Sequence, residues 1–191
     1  MKLTNLETKF LGRNIFYYEE IDSTQKEVFR RAEKNIIKNG TLIYADIQTS
    51  GKGTHGRTWY TDERNNIAFS LFVEMNCDIY RLMGLTKKIA EIILDIFYKR
   101  YGICLEIKEP NDIYYKTKKV GGILTETKIV SNKVKYLVLG IGINTNKTFF
   151  VDDIKDVATS IKKEFEITIN TETFMSDFCN NFEVEINERM S

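Results

Sequence analysis

The sequence predicts an α+β domain in which helices pack against a largely antiparallel β-sheet. Three observations lead to this class. Short runs of β-branched and aromatic residues recur along the 191 residues, and turn-length segments separate most of them, which is typical of hairpins. Two longer segments, residues 80–101 and 171–189, carry apolar side chains at helical spacing instead. No repeat, linker or low-complexity stretch divides the chain, so we expect one domain over residues 1–191.

The first half of the chain predicts strands around one helix. Apolar residues at helical spacing predict this helix from residue 24 to about residue 38. We expect Thr24 and Glu27 to form a capping box at its start and Gly40 to end it. The strands expected in this half are residues 14–18, 41–47 and 67–73.

The second half predicts a long helix, a run of strands and a closing helix. The apolar stripe of residues 80–101 is typical of a helix that packs on the core. Pro110, Asn111 and Asp112 are typical of a corner between strands. Adjacent glycines inside a strand, Gly121 and Gly122, indicate a bulge or the close approach of a ligand. The remaining elements expected are strands at residues 103–107, 113–116, 119–126 and 134–143 and a helix at residues 171–189.

Composition argues against several functional classes. The 28 basic and 27 acidic residues leave a net charge of +1, so no strong electrostatic attraction to nucleic acid is expected. No apolar run approaches membrane-spanning length and the N-terminus lacks a signal-peptide core, so a cytoplasmic protein without membrane partners is expected. The three isolated cysteines indicate neither a disulfide framework nor a zinc site. The single histidine, His55, lies in a glycine-rich loop, which disfavours a Ser-His-Asp triad.

That glycine-rich loop, residues 48–59, is the most distinctive stretch of the chain. It combines three glycines, two cations and the only tryptophan: Gly51, Gly53, Gly56, Lys52, Arg57 and Trp59. The glycines allow positive φ and expose successive amide N–H groups, which favours a bound phosphate or carboxylate. The spacing matches the dinucleotide fingerprint and nearly matches a P-loop, but both motifs require a helix after the last glycine, and a strand is predicted there. A plain solvated hairpin loop is the structural alternative.

Taken together, the motifs resemble the catalytic domain of biotin protein ligases, which has a fold like that of class II aminoacyl-tRNA synthetases. They occur in that family's order and spacing over about residues 13–190. The matching pieces are Asp22-Ser23-Thr24, Gln48, Gly51-Lys52-Gly53 with Arg57-Thr58-Trp59, Lys108 with Pro110-Asn111-Asp112, Lys119 with Gly121-Gly122-Ile123-Leu124, and Gly140-x-Gly142-x-Asn144.

The resemblance implies a two-step ligase. That family joins biotin to ATP as biotinyl-5′-AMP, releases pyrophosphate, and then transfers biotin to a lysine of a biotin carboxyl carrier protein. Biotin, ATP and the carrier are therefore the implied partners, with Mg²⁺ as the ion. No tightly bound prosthetic group is expected, and a homodimer is compatible with the resemblance.

The resemblance also implies a role for each matched group. Lys119 would bridge the biotin carboxylate and the α-phosphate as the main catalytic cation, and Lys52 would add charge from the loop; such donors are typically worth a few kcal/mol at the transition state. Asp112 would hold Mg²⁺. The residues implied for biotin are Ser23, Thr24, Gln25, Gln48, Gly51, Lys52, Gly53, Thr54, Lys119, Gly121, Gly122 and Leu124. The residues implied for the nucleotide are Arg57, Trp59, Lys108, Asn111, Asp112 and Asn144.

The chain departs from the family pattern at three positions. Lys52 and Thr54 stand where arginines are usual, and Glu109 stands where tryptophan is usual. Lysine keeps the charge but loses the bidentate fork, and threonine loses the charge, so we expect weaker retention of the adenylate rather than slower formation.

Two further expectations concern the extent and the function of the chain. We expect neither the N-terminal DNA-binding domain of the repressor-type ligases, and hence no DNA binding, nor the small C-terminal β-barrel of many relatives. Two alternative functions stay open. The first alternative is a lipoyl or octanoyl ligase or transferase on the same scaffold. The second is a non-catalytic module that binds biotin or its adenylate.

Overall fold

A seven-stranded sheet forms the centre of the protein, whose computed structural model describes residues 3–61, 64 and 66–190. The strands are β1 (Ile15–Ile21), β2 (Leu42–Gln48), β3 (Ile67–Asp78), β4 (Glu106–Lys108), β5 (Asp112–Tyr115), β6 (Lys118–Val130) and β7 (Lys133–Ile143). They are ordered β1-β2-β3-β7-β6-β5-β4. The β1–β2 pair is parallel and the five other neighbouring pairs are antiparallel, which confirms the predicted α+β class.

Helices cover both faces of this sheet. They are α1 (Thr24–Glu33), α2 (Leu85–Tyr101), α3 (Ile161–Phe165) and α4 (Thr171–Met190). The apolar stripes of α2 and α4 are buried in the main core, as predicted, with Ile89 and Ile93 from α2 and Phe178 and Phe182 from α4 fully covered. On the opposite face, Val28 of α1 belongs to a smaller cluster. No helix in the described part of the chain is long and apolar enough to cross a membrane.

The first helix is shorter than the sequence predicts. It ends at Glu33 rather than near residue 38, because Asn35 adopts a left-handed conformation with φ of 54°. The amides of Asn35 and Ile36 then donate to carbonyls of the last turn at 3.1 and 3.0 Å, which closes the helix in a Schellman motif. Ile36 is consequently 59% exposed, and the prediction that Gly40 ends the helix is wrong.

Other boundaries shift for equally local reasons. Gly84 has a left-handed φ of 73°, so α2 begins at Leu85, and residues Ile79–Leu82 form a separate 3-10 turn rather than the start of the helix. Strand β3 continues to Asp78, beyond the predicted end at residue 73. The strand predicted at residues 103–107 is only the short β4, which begins at Glu106.

Candidate active site

A cavity of about 260 Å³ opens on the face of the sheet that α1 covers. Its floor contains Ser70, Gly122, Gly140 and Gly142, which share this face because Ser70 pairs with Gly140 and Gly122 pairs with Gly142 in the strand register. The small residues leave room both for the cavity and for the Gln25 and Trp59 side chains, which pack over Gly140 and Gly142; a methyl group at these glycines would lie 2.7 and 2.4 Å from them. The N-terminus of α1, the glycine-rich loop and residues 154–158 form the walls.

Most of the residues implied by the resemblance line this cavity. They are Ser23, Thr24, Gln25, Gln48, Lys52, Gly53, Thr54, Arg57, Trp59, Asn111, Asp112, Lys119, Gly122, Leu124 and Asn144. Gly51, Lys108 and Gly121 do not line it. Gly121 packs behind the floor, where a methyl group would lie 3.0 Å from the Gly142 carbonyl oxygen, and the exposed Lys108 ammonium lies 4.7 Å from the centroid of the Tyr114 ring.

The start of α1 places polar groups at one end of the cavity. Ser23 is the N-cap, and its hydroxyl accepts the Lys26 amide at 3.4 Å. The predicted capping box of Thr24 and Glu27 is wrong, because the Thr24 side chain turns into the cavity instead. Beside the cap, hydrogen bonds from Arg30 lower the pKa of the Asp22 carboxyl to about 2, so this ion pair stays charged at neutral pH.

A chain of hydrogen bonds continues from Thr24 across the floor. The Gln48 carbonyl oxygen accepts the Thr24 amide at 2.8 Å, and the Gln25 amide nitrogen donates to the Val138 carbonyl and to Glu126 at 3.2 and 3.0 Å. Between them, the hydroxyls of Thr24 and Ser70 lie 2.9 Å apart, and Ser70 donates to the Gln25 carbonyl oxygen at 2.9 Å. The floor is therefore polar, with both amide side chains fixed in orientation by backbone partners.

The glycine-rich loop is an irregular hairpin rather than a nest of amides. The Trp59 amide donates to the Gly51 carbonyl at 2.9 Å, and the Gly53 amide donates to the Arg57 carbonyl at 2.7 Å. Of the three glycines that could adopt positive φ, Gly56 does so, together with His55 at the tip, whereas Gly51 and Gly53 do not. Gly51 is instead required by close approach, since a methyl group there would lie 2.4 Å from the Trp59 carbonyl oxygen.

The Arg57 guanidinium lies beside Thr54, the uncharged residue that stands where an arginine is usual. Its guanidinium donates to the Thr54 hydroxyl at 2.8 Å and to the Thr54 carbonyl at 3.2 Å. Both residues line the cavity, and the exposed Lys52 lies on the same hairpin. This side of the cavity can therefore bind an anion through two cations that come from one short segment.

The Lys119 side chain contacts both a charged and an aromatic residue of the cavity lining. Its ammonium donates to Asp112 at 2.6 Å and lies 5.8 Å from the centroid of the Trp59 ring. The expected irregularity near Gly121 is present as a register shift of β5 against β6, opposite Lys119. The shift lets Lys119 and Gly122 reach the same face although they are three residues apart, and a methyl group at Gly122 would lie 3.4 Å from the ammonium nitrogen.

Two asparagines fix the neighbouring backbone. The Asn111 side chain donates to the Ile123 carbonyl at 2.9 Å, and the Asn144 side chain donates to the Thr159 carbonyl at 3.2 Å. Both are buried at the cavity wall. One cavity therefore combines a polar floor, a cationic hairpin and Lys119.

Comparison with known proteins identifies the family. The model of the biotin/lipoate A/B protein ligase family matches residues 17–144, which include the α1 start, the hairpin and Lys119. The chain belongs to this family.

Individual relatives of the family agree with this match. The bifunctional ligase/repressor BirA of Bacillus subtilis is 36% identical over 160 residues, covering 83% of this chain and 49% of the relative. BirA of Escherichia coli is 28% identical over 133 residues, covering 70% and 41%. The chain thus spans about half the length of the curated ligases that it matches. A biotin protein ligase from Aquifex aeolicus, solved in complex with biotin and ATP, shares the fold with a TM-score of 0.72 and 27% identity, covering 93% of this chain and 70% of that one.

Several residues of this chain line the cavity although the sequence analysis assigned them no role. They are Thr58, Tyr60, Phe69, Ser70, Tyr114, Ile123, Gly140, Ile141, Gly142, Ile154, Val157 and Ala158. Alternation along β3 and β7 could have found Ser70, Gly140 and Gly142, since small residues on one face of neighbouring strands leave a cavity. No sequence signal marks residues 154–158, because only the fold brings them beside Lys119.

Proposed function

We propose that this chain activates biotin with ATP to biotinyl-5′-AMP and then transfers biotin to a lysine of a biotin carboxyl carrier protein. The observation that carries the proposal is the position of the Lys119 ammonium, which lies 5.8 Å from the Trp59 ring of the hairpin and 3.4 Å from the place of a methyl group on Gly122 of the floor. The ligase names of the relatives and the biotin and ATP bound to the Aquifex aeolicus protein support the same function.

The biotin end of the proposal fits the floor. A cyclic urea carries one carbonyl oxygen and two N–H groups, which need donors and acceptors at fixed positions. Ser23, Thr24 and Gln48 offer hydroxyl and amide groups at the α1 end of the cavity. The apolar ring and chain can lie against the backbone of Gly122, which carries no side chain, beside the Trp59 ring that packs over Gly142.

The nucleotide would lie at the opposite end. Arg57, Asn111, Asn144 and Lys52 supply donors for its phosphates and sugar. Mg²⁺ would arrive with the triphosphate, and among the described lining residues Asp112 supplies the one carboxylate, which suits an ion that keeps most of its shell as phosphate oxygen and water. Asp112 is already paired with Lys119, so binding the ion would require this pair to open or to be shared.

The chemistry then needs charge stabilisation more than proton transfer. A biotin carboxylate oxygen attacks the α-phosphorus, the bond to the β,γ-phosphate breaks, and pyrophosphate leaves with the electron pair. In this proposal the Lys119 ammonium, which donates to Asp112, would stabilise the negative charge that develops on the α-phosphate. In the second step the neutral amine of the carrier lysine attacks the acyl carbon, AMP leaves, and the amine proton passes to solvent.

Biotin-dependent exchange of labelled pyrophosphate into ATP tests the first step. We expect exchange that requires biotin and is not supported by lipoate or octanoate at the same concentration. Exchange with lipoate or octanoate alone would instead indicate the other branch of this family. Binding of biotin without any exchange would indicate a non-catalytic module.

A second experiment concerns retention of the adenylate. Replacing Thr54 with Arg adds a second guanidinium beside Arg57, and one further charge-assisted bond of roughly 1.5–3 kcal/mol would slow release of the adenylate by about ten- to a hundredfold. The measurement is AMP formation in the absence of carrier, with Thr49→Arg as a control that adds the same charge at an exposed position of the chain. Equal rates for wild type and Thr54→Arg would contradict the prediction that Thr54 weakens retention of the adenylate.

A further inference from the structure

A buried asparagine connects two walls of the cavity without lining it. Asn66 lies immediately before β3 and is 5% exposed. Its side-chain oxygen accepts three successive backbone amides, those of Thr145, Asn146 and Lys147, at 3.0, 3.1 and 3.1 Å. Successive amides that converge on one point form a concave site of the kind that holds an anion, and here the Asn66 oxygen occupies it.

The three amides belong to a segment that forms the cavity wall. We call residues 144–158 the arch. One end is tied to β6 because the Asn144 amide donates to the Val120 carbonyl at 2.8 Å, and the other because the Lys119 amide donates to the Val157 carbonyl at 2.8 Å. Asn144, Ile154, Val157 and Ala158 of the arch line the cavity. The contact with Asn66 fixes the part of the arch that directly follows Asn144.

Asn66 also lies close along the chain to the glycine-rich hairpin. The hairpin closes where Gln48 pairs with Thr61, five residues before Asn66. On its C-terminal side, Asn66 is followed directly by β3, whose Phe69 and Ser70 line the cavity. A displacement of the arch relative to β3 would therefore move Asn144 relative to both the hairpin and the floor.

We propose that Asn66 is a positioning residue for the nucleotide half of the site. It holds the arch so that the Asn144 side chain and the apolar residues near Ala158 keep their distance from Lys119. This inference rests on the proposed function, because it assigns the arch end of the cavity to ATP. It predicts that loss of the Asn66 oxygen impairs the use of ATP more than the use of biotin.

The test compares Asn66→Ala and Asn66→Asp with a control asparagine on the same segment. Asn146 donates to the Ile169 carbonyl at 2.9 Å and accepts the Ile169 amide at 2.8 Å, so Asn146→Ala also removes side-chain bonds that fix the arch, but on the side facing α4. We expect Asn66→Ala to raise the KM for ATP in the exchange assay by about tenfold or more, on the scale of misplacements near 1 Å, and to change the KM for biotin less than twofold. Aspartate keeps the acceptor oxygen and should restore the KM for ATP to within a fewfold of wild type.

The outcomes separate the two proposals. Wild-type protein without biotin-dependent exchange would contradict the proposed function before any variant is measured. With active wild type, three results would overturn the role of Asn66: an unchanged KM for ATP in Asn66→Ala, an equal rise in both KM values, or an equal rise of the ATP value in Asn146→Ala. If the alanine variant does not fold, Asn66→Ser retains one acceptor on a shorter side chain and should still raise the ATP value selectively.

Discussion

Replacing Lys119 with alanine is expected to lower the rate of biotin adenylation by about two to three orders of magnitude, the scale seen when one preorganised donor to a transition state is lost. The ammonium lies 2.6 Å from Asp112 and is held between the hairpin and the floor. Its removal also leaves the Asp112 carboxylate without its cation, facing the position proposed for the phosphates. Both effects raise the energy of the same charged transition state.

The neighbouring lysine provides a matched control. Lys118 is half-buried like Lys119, donates to the Lys155 carbonyl at 3.3 Å, and does not line the cavity. Lys118→Ala should keep its exchange rate within twofold of wild type, and both variants should show native circular dichroism because the backbone bonds of Lys119 to the arch remain. Near-normal exchange in Lys119→Ala would remove Lys119 from its proposed role.

Replacing Gly142 with alanine is expected to weaken biotin binding by about ten- to a hundredfold, which corresponds to the roughly 1–3 kcal/mol typical of overpacking. A methyl group there would lie 2.4 Å from Cε2 of Trp59, well inside van der Waals contact. The indole cannot simply slide away, because the Trp59 amide is bonded to the Gly51 carbonyl at 2.9 Å. The ring must turn out of the wall, and the new methyl group fills part of the floor.

The single tryptophan makes this displacement observable before any ligand is added. All tryptophan emission of the chain comes from Trp59, so Gly142→Ala should shift that emission to longer wavelength as the ring becomes exposed. Gly122 pairs with Gly142 in the sheet, but a methyl group there would make its nearest contacts at an ordinary 3.4 Å, with the end of the Lys119 side chain. Gly122→Ala should therefore leave the emission unchanged. Titration with biotin measures the affinity, and wild-type emission together with wild-type affinity in Gly142→Ala would contradict the prediction.

Local patterns in the sequence were sufficient for most of the fold. The stripes of α2 and α4 and the hairpin of β6 and β7 depend on spacing between near neighbours, and all are present. The wrong predictions concern the ends of helices and strands, where the backbone conformation of one residue sets the boundary. Asn35 and Gly84 adopt positive φ and set the boundaries of α1 and α2, although neither was singled out from the sequence.

The sequence by itself determined the family, the α+β class and more than half of the lining residues, because these follow from short motifs such as Lys119 with Gly122. The tertiary structure decided which of those residues meet. Strict alternation would place Lys119 and Gly122 on opposite faces, and the register shift opposite Lys119 brings them to the same side. Likewise, Asn66 reaches the amides of residues 145–147 across nearly 80 residues, a contact that depends on the pairing of β3 with β7. Contacts of this kind depend on the register and order of the strands, which cannot be read from the spacing of neighbouring residues in the sequence.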